Sequence, residues 1–237
     1  MNMVAATHPR VRVEIVFDFV CPWCAIGIDR LVSTLSRRND VHIEWQWRSF
    51  LLNPTFPPEG MSLESYLRIK QGDDTRIARL LHLIEKQARE FDTAIHFDRI
   101  CKVPATLNAH RLLTWASARG DATSLVLGLF EAFFRRGEDI GDPVVLAHTA
   151  ERHGFDPQLV LQLLAGQTLS GTVLSEQSLH QRNGINGVPS IIIAGMALTG
   201  VHDSPVIDRL LDVALQATYR NGIPQFSSTL RRGADHS

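Results

Sequence analysis

Two cysteines three residues apart stand where one backbone period gives way to another, and that junction limits what this chain can fold into. Val11, Val13, Ile15 and Phe17 alternate with Arg12, Glu14 and the less polar Val16, the period-2 pattern of a strand with at least one buried face. Beyond Cys21 and Cys24, residues Ile26, Arg30, Leu31, Thr34, Leu35 and Arg38 fall at helical spacing, with apolar and polar positions on separate sides. The cysteine pair is therefore expected at a strand-to-helix junction, with Cys21 at the start of the helix. Val41, Ile43, Trp45 and Trp47 alternate with His42, Glu44, Gln46 and Arg48 and predict a second strand, completing a β-α-β unit. Asn53-Pro54, Pro57-Pro58 and Gly60 end it.

A cysteine at a helix start faces unpaired backbone N–H groups and the positive end of the helix dipole, an environment that favours the thiolate. Cys21-Pro22-Trp23-Cys24 suits that arrangement. Pro22 needs no hydrogen bond in the first turn, and the N–H groups of Trp23 and Cys24 stay available to the Cys21 sulfur. Cys24, one turn on, is predicted to be more enclosed and placed to resolve a mixed disulfide. The competing reading is half of a zinc site. Zinc usually takes four ligands, so Cys101 and histidines such as His96 or His110 would have to complete it. The strand context, the proline after the first cysteine and the lack of a second paired motif favour redox chemistry and no metal.

From about Ser62 to Gly184 the pattern is helical. Asp142-Pro143 and Asp156-Pro157 read as N-caps followed by a first-turn proline. Apolar stripes recur at Ile77, Leu80, Leu81 and Ile84, at Leu112, Leu113 and Ala116, and at Leu125, Leu129, Phe130 and Phe133. Strand character returns at Ser190 to Ile193 and Met196 to Thr199, and a last amphipathic helix is read through Val206, Leu210, Leu211 and Val213. The sheet is thus predicted to draw on both ends of the chain. Residues 221–237 have no apolar period and read as a loose tail.

With 237 residues, 44% of them hydrophobic, the chain can bury a sizeable core. A net charge of -1 supplies no basic field for nucleic acid. Residues 1–10 carry no apolar run of the secretory type, and no later stretch is long enough to span a bilayer, so the expectation is a cytoplasmic protein without membrane contact. Three cysteines do not make a disulfide framework. Nothing in this composition selects an oligomeric state.

The motifs Asp18-Phe19-Val20-Cys21-Pro22-Trp23-Cys24, Leu107-Asn108-Ala109-His110-Arg111-Leu112, Glu138-Asp139-Ile140-Gly141-Asp142 and Gly184-Ile185-Asn186-Gly187-Val188-Pro189-Ser190 together resemble the DsbA-like branch of the thioredoxin superfamily, and within it the FrnE-like group. The resemblance implies an α/β thioredoxin fold with a large helical insertion: a discontinuous thioredoxin-like domain over 10–60 and 185–220, the insertion over 61–184 and the tail over 221–237. It also implies that Val188-Pro189 is a cis peptide opposite the dithiol, whose neighbouring backbone can pair with an extended substrate. On this basis Cys21 is the expected nucleophile, Cys24 the resolving thiol, and Trp23, Val188 and Pro189 the substrate-binding residues.

Asp18, three residues before Cys21, is expected either to relay a proton for Cys24 or to bond backbone N–H groups at the turn. Asn108, His110 and Arg111 match the family pattern near the start of an insertion helix. They are expected to face the active-site mouth or, for Asn108 and His110, to cap the helix or make a structural hydrogen bond. Glu14 reads as solvated, and Cys101 as an unpaired buried thiol in a segment that the resemblance brings near the active site.

The leading function is a thiol–disulfide oxidoreductase acting on protein or small-molecule disulfides, with no bound cofactor, glutathione as a co-substrate and a recycling thiol system as partner. A second reading is a glutathione-linked isomerase or transferase of the 2-hydroxychromene-2-carboxylate isomerase or kappa-class type, relatives that place serine where this chain has Cys21. A third is a non-enzymatic binder of exposed apolar segments, for which Trp23 and the insertion speak. No histidine lies between the cysteines, so the pair is expected to be less oxidising than the dithiol of DsbA itself.

Overall fold

In a computed structural model that describes residues 8–220, the two predicted strands β1 (Arg10–Phe17) and β2 (His42–Ser49) flank helix α1 (Pro22–Leu35) and pair in parallel, Arg10 opposite His42 through Phe17 opposite Ser49. The late strands β5 (Ser190–Ile193) and β6 (Met196–Thr199) complete a four-stranded sheet in the order β2-β1-β5-β6. Strand β5 runs antiparallel to β1, with Ser190 opposite Val16. That register brings Pro189, one residue before β5, to the end of β1 from which Cys21 follows. The even positions become covered toward the end of β1: Arg10 is exposed and Arg12 and Glu14 are half-buried, but Val16 is buried as fully as Ile15 and Phe17.

Between β2 and β5 the chain forms α2 (Leu63–Gln71), α3 (Asp74–Glu90), α4 (Leu107–Ser117), α5 (Thr123–Phe130), α6 (Pro143–Arg152), α7 (Pro157–Ala165) and α8 (Ser170–Arg182), and α9 (Ser204–Arg220) follows β6. Asp142 and Asp156 cap α6 and α7 as read, accepting from Val144 N and Gln158 N at 2.8 Å each. The stretch is not purely helical, however. Met61–Ser62 (β3) and Lys102–Val103 (β4) pair antiparallel and tie off the α2–α3 excursion. Two residues are too few to show a period, which is why the pair escapes sequence reading.

The core gathers on the odd face of β1. Phe17 meets Phe19, Trp47, His110 and Phe130 at ring separations of 5.0 to 5.7 Å, geometry in which aromatic pairs add to plain area burial. On the other face Glu14 is not simply solvated: it pairs with Arg48 at 3.6 Å, and Arg48 also reaches Glu176 of α8. The side chains of Glu176 and Gln177 take the backbone N–H groups of Ser49 and Leu51, at 2.9 and 2.7 Å, where β2 has run out of strand partners. Helix α9 packs against α1 through a stripe set slightly off the predicted one. Ile207, Leu211, Ala214 and Leu215 are buried, while Val206 and Val213 are exposed.

After α5 the helix widens into a π turn, Glu131–Arg135, and ends at Gly137 with φ +70°. A β-carbon there would collide with the carbonyl oxygen of Arg99, so the position combines left-handed backbone with a close approach of main chain. Gly137→Ala is expected to lower stability by about 2 kcal/mol, as a strained backbone residue does, measured by urea unfolding with an unchanged m-value. The predicted tail, 221–237, lies outside the described residues. Among the described residues no helix is long and apolar enough to cross a membrane.

Candidate active site

Cys21 is the N-cap of α1, extended at φ -86° and ψ 113°, with Pro22 in the first turn. Its sulfur accepts the backbone N–H of Cys24 at 3.4 Å, the orphan donor that a helix N-terminus leaves free. Across the sheet end, the Cys21 thiol donates to the carbonyl of Val188 at 3.7 Å, a contact the β1–β5 register produces. The Val188–Pro189 peptide bond is cis. Gly27, one turn inside α1, lets the helix approach this loop; a β-carbon there would lie 3.2 Å from Pro189 Cγ.

The two sulfurs differ in surroundings. Both are free thiols, but Cys24 is completely enclosed whereas Cys21 is 4% exposed. Burial pushes the Cys24 thiol well above its ordinary value, and the neighbouring Cys21 pushes it further; a backbone hydrogen bond from Asp18 works the other way.

Asp18 is wholly buried, and its carboxylate does not serve the local turn. One oxygen accepts the N–H of Leu52 at 2.7 Å, from the segment that follows β2. The other lies 3.4 Å from Nε2 of His110, also fully buried and packed against the rings of both Phe17 and Phe19. Nδ1 of His110 has no hydrogen-bond partner. So His110 does reach the cysteine neighbourhood, from within the core and not from an open mouth, and it caps no helix.

Its motif neighbours go elsewhere. Arg111, 2% exposed, donates to the carbonyls of Thr168, Leu163 and Gly166 at 2.6 to 2.8 Å, and to Asn108 at 2.7 Å. Asn108 therefore holds Arg111 and does not cap α4, whose N-cap position is Thr106. For Asn108 this is the structural hydrogen bond given above as the alternative to facing the site, whereas Arg111 turns to the carbonyls of Leu163, Gly166 and Thr168 and not to the active-site mouth. Asp139 likewise accepts Gly141 N at 2.9 Å and pairs with Lys102, so the Glu138–Asp142 motif is a turn and a helix cap. Cys101 is exposed, not buried as expected, and its carbonyl accepts from Leu63 N at 3.1 Å. Trp23 is half-buried: it packs against the core and keeps part of its surface open to solvent. Among the described residues no three His, Cys, Asp or Glu side chains converge as a metal site.

Sequence reading missed the wall formed by Asn53 and Tyr66. Tyr66, on α2, has its phenol pushed above the ordinary value of 10.0 chiefly by burial; a hydrogen bond with the Asn53 side chain works the other way, and the charges of Asp18 and Cys21 add to the rise. No local pattern marks either residue; only the fold brings them beside Asp18 and Cys21.

Comparison with known proteins agrees with this architecture. YwbO of Bacillus subtilis (strain 168), an uncharacterized protein, is 23% identical over 204 residues, which cover 85% of this chain and 96% of YwbO. A probable DsbA oxidoreductase from Streptomyces coelicolor superposes with a TM-score of 0.77 at 25% identity, over 87% of this chain and 90% of that one. The cytosolic disulfide reductase DsbM from Pseudomonas aeruginosa, solved with GSH, shares the fold with a TM-score of 0.59 at 12% identity, over 90% of this chain and 100% of that one. The model of the DsbA-like thioredoxin domain matches residues 12–212. With the dithiol at the head of α1, the β1–β5 register and a match that runs through nearly the whole described chain, this protein belongs to the DsbA-like thioredoxin domain family.

Proposed function

We propose that the chain is a thiol–disulfide oxidoreductase working through Cys21 and Cys24. The observation that carries this reading is the asymmetry of the two sulfurs: one at the helix cap with a backbone N–H directed at it, the other sealed one turn behind. The Cys21 thiolate attacks one sulfur of a substrate disulfide, forming a mixed disulfide and expelling a thiolate, which takes up a proton. The Cys24 thiol loses its proton to Asp18, and its sulfur attacks Sγ of Cys21. The second substrate thiolate leaves, and the Cys21–Cys24 disulfide is formed. Two electrons have passed to the substrate, and an external dithiol, or two small thiols, restores the dithiol.

In this reading the backbone at Val188 and Pro189 is the edge along which an extended substrate lies. The working direction is reductive or isomerising, in the cytosol, with glutathione as a co-substrate; the name of DsbM supports the compartment and its GSH the thiol. The retained dithiol favours exchange over the isomerase or transferase alternative. The partial packing of Trp23 against the core leaves less open surface for a simple binder of apolar segments.

Trapping is the direct test. Cys24→Ser in a Cys101→Ser background, exposed to a cell extract and then to glutathione disulfide, is expected to retain a thiol-releasable adduct on Cys21. Mass spectrometry that finds Cys21 unmodified under both conditions sinks the reading.

A further inference from the structure

We infer that His110 is the positioning residue that keeps Asp18 ionised, and so able to take the Cys24 proton: its Nε2–H holds one carboxylate oxygen while the Leu52 N–H holds the other. This rests on the exchange reading above and adds a residue to the resolving step of that same site.

Asp18 has no solvent exposure. A carboxyl group so enclosed gives up its charge unless hydrogen-bond donors hold the ionised form, and a neutral carboxylic acid cannot serve Cys24 as a base. Its two oxygens meet Leu52 N at 2.7 Å and His110 Nε2 at 3.4 Å. Each carboxylate oxygen has two acceptor positions, so these contacts leave room for the Cys24 proton.

Both donors are themselves clamped. Gln177 of α8 accepts the Leu51 N–H at 2.7 Å and donates to the Leu51 carbonyl at 3.2 Å, which fixes the peptide unit that presents Leu52 N. On α4, Arg111 is locked by the carbonyls of Thr168, Leu163 and Gly166, which sets the rotation of the helix about its axis. The preceding side chain is then turned by about 100° and reaches Asp18. Preorganised support of this kind is what a group that must hold a catalytic partner requires.

The unpartnered Nδ1 of His110 decides which way the ring is protonated. Were the shared proton on Asp18, Nε2 would present its lone pair and the one ring N–H would lie on Nδ1, buried with no acceptor. An imidazolium would strand the same N–H. With the proton on Nε2, only a lone pair goes unanswered, and a buried acceptor without a donor is the lesser defect. The rings of Phe17 and Phe19 beside His110 carry no charge; the other ionisable groups that act with Asp18 are Cys24, Cys21 and Tyr66. In the resolving step the S–H bond of Cys24 breaks, its proton bonds to a free lone pair of Asp18, and the sulfur electron pair forms the bond to Sγ of Cys21 as the substrate thiolate leaves. The Nε2–H of His110 stays in place throughout.

The test follows the Cys21 adduct with a model disulfide by rapid mixing and acid quench, in the full-length protein between pH 6 and pH 9. His110→Phe keeps a ring against Phe17 and Phe19 but offers no donor, whereas His110→Gln places an amide N–H where Nε2 lies. Adduct formation should be equally fast in all. Resolution at pH 7 should slow by about 10- to 100-fold in His110→Phe and climb with pH as in Asp18→Asn, while His110→Gln stays within about three-fold of the wild type and keeps its flatter profile. The double variant Asp18→Asn/His110→Phe should be no slower than Asp18→Asn alone, because both changes remove one function. Nitrogen NMR of the wild type at pH 7 should find His110 neutral with its proton on Nε2. A His110→Phe variant with the wild-type rate or profile, a His110→Gln variant as slow as it, or multiplied losses in the double variant would each overturn the inference and leave exchange standing. A proton on Nδ1 in the wild type does the same, and that result holds even where His110→Phe does not fold. A wild-type adduct lifetime in Asp18→Asn removes Asp18 and His110 together from the resolving step. No Cys21 adduct in any of the proteins overturns the exchange reading itself.

Discussion

Cys21→Ser, made in a Cys101→Ser background, is expected to bring disulfide reduction down to the uncatalysed rate, a loss of at least about a thousand-fold, or about 4 kcal/mol of barrier. A serine hydroxyl at the helix cap still accepts the Cys24 N–H, so the fold of the junction survives while the redox-active sulfur is gone. The remaining thiol cannot substitute. Cys24 has no solvent access, and its proton is held more tightly than that of an ordinary thiol, so at neutral pH little of it is the nucleophilic form. The companion measurement is alkylation mapping of the wild type with iodoacetamide at pH 7. Cys21 and the exposed Cys101 should be labelled first and Cys24 last. Activity surviving in Cys21→Ser, or Cys24 labelled ahead of Cys21, would refute the assignment of nucleophile and resolving thiol.

The elements that placed the cysteines were legible because each announces itself over several residues. The alternation of Val11 to Phe17 and the stripe through Leu31 and Leu35 are local, and so is the cap geometry that Pro22 prepares. The pairing of β1 with β5 is not local. It joins Val16 to Ser190 across the whole helical stretch, and no period in either segment names the other. Pro189 entered as a site residue through family resemblance alone. The motif at 107–112 illustrates a different limit. His110 and Arg111 are adjacent, so helical geometry sends them in directions about 100° apart. One reaches Asp18 and the other the carbonyls between α7 and α8. A shared motif therefore does not imply a shared site. Asn53 and Tyr66 lay beyond sequence reading for a third reason: their proximity depends on the loop after β2 and on the β3–β4 pairing, neither of which has a pattern long enough to detect.

Asp18→Asn is expected to leave the first attack intact and to lengthen the life of the mixed disulfide by about 100-fold, the lower range for loss of a general base. The amide is nearly isosteric. Its oxygen can still accept the Leu52 N–H, and its NH2 group can face Nε2 of His110 if the imidazole presents a lone pair there. What the variant loses is a proton acceptor beside a thiol that needs one. Cys24 is raised well above the ordinary thiol value of 9.0, first by burial and then by Cys21, so its thiolate fraction at neutral pH is small. That fraction grows about ten-fold for each pH unit below the raised value. Without the carboxylate, resolution must draw on this fraction alone, so its rate in Asp18→Asn should climb about ten-fold per unit through the neutral and mildly alkaline range. In the wild type the proton leaves to Asp18, so the same profile should be flatter and lie above the variant's, the gap closing as pH rises. Rapid mixing with a model disulfide, acid quench and mass analysis of the Cys21 adduct between pH 6 and pH 9 resolves the two steps. An adduct lifetime equal to that of the wild type would remove Asp18 from the proton path, and parallel pH profiles would assign its carboxylate to holding Leu52 and His110 in place.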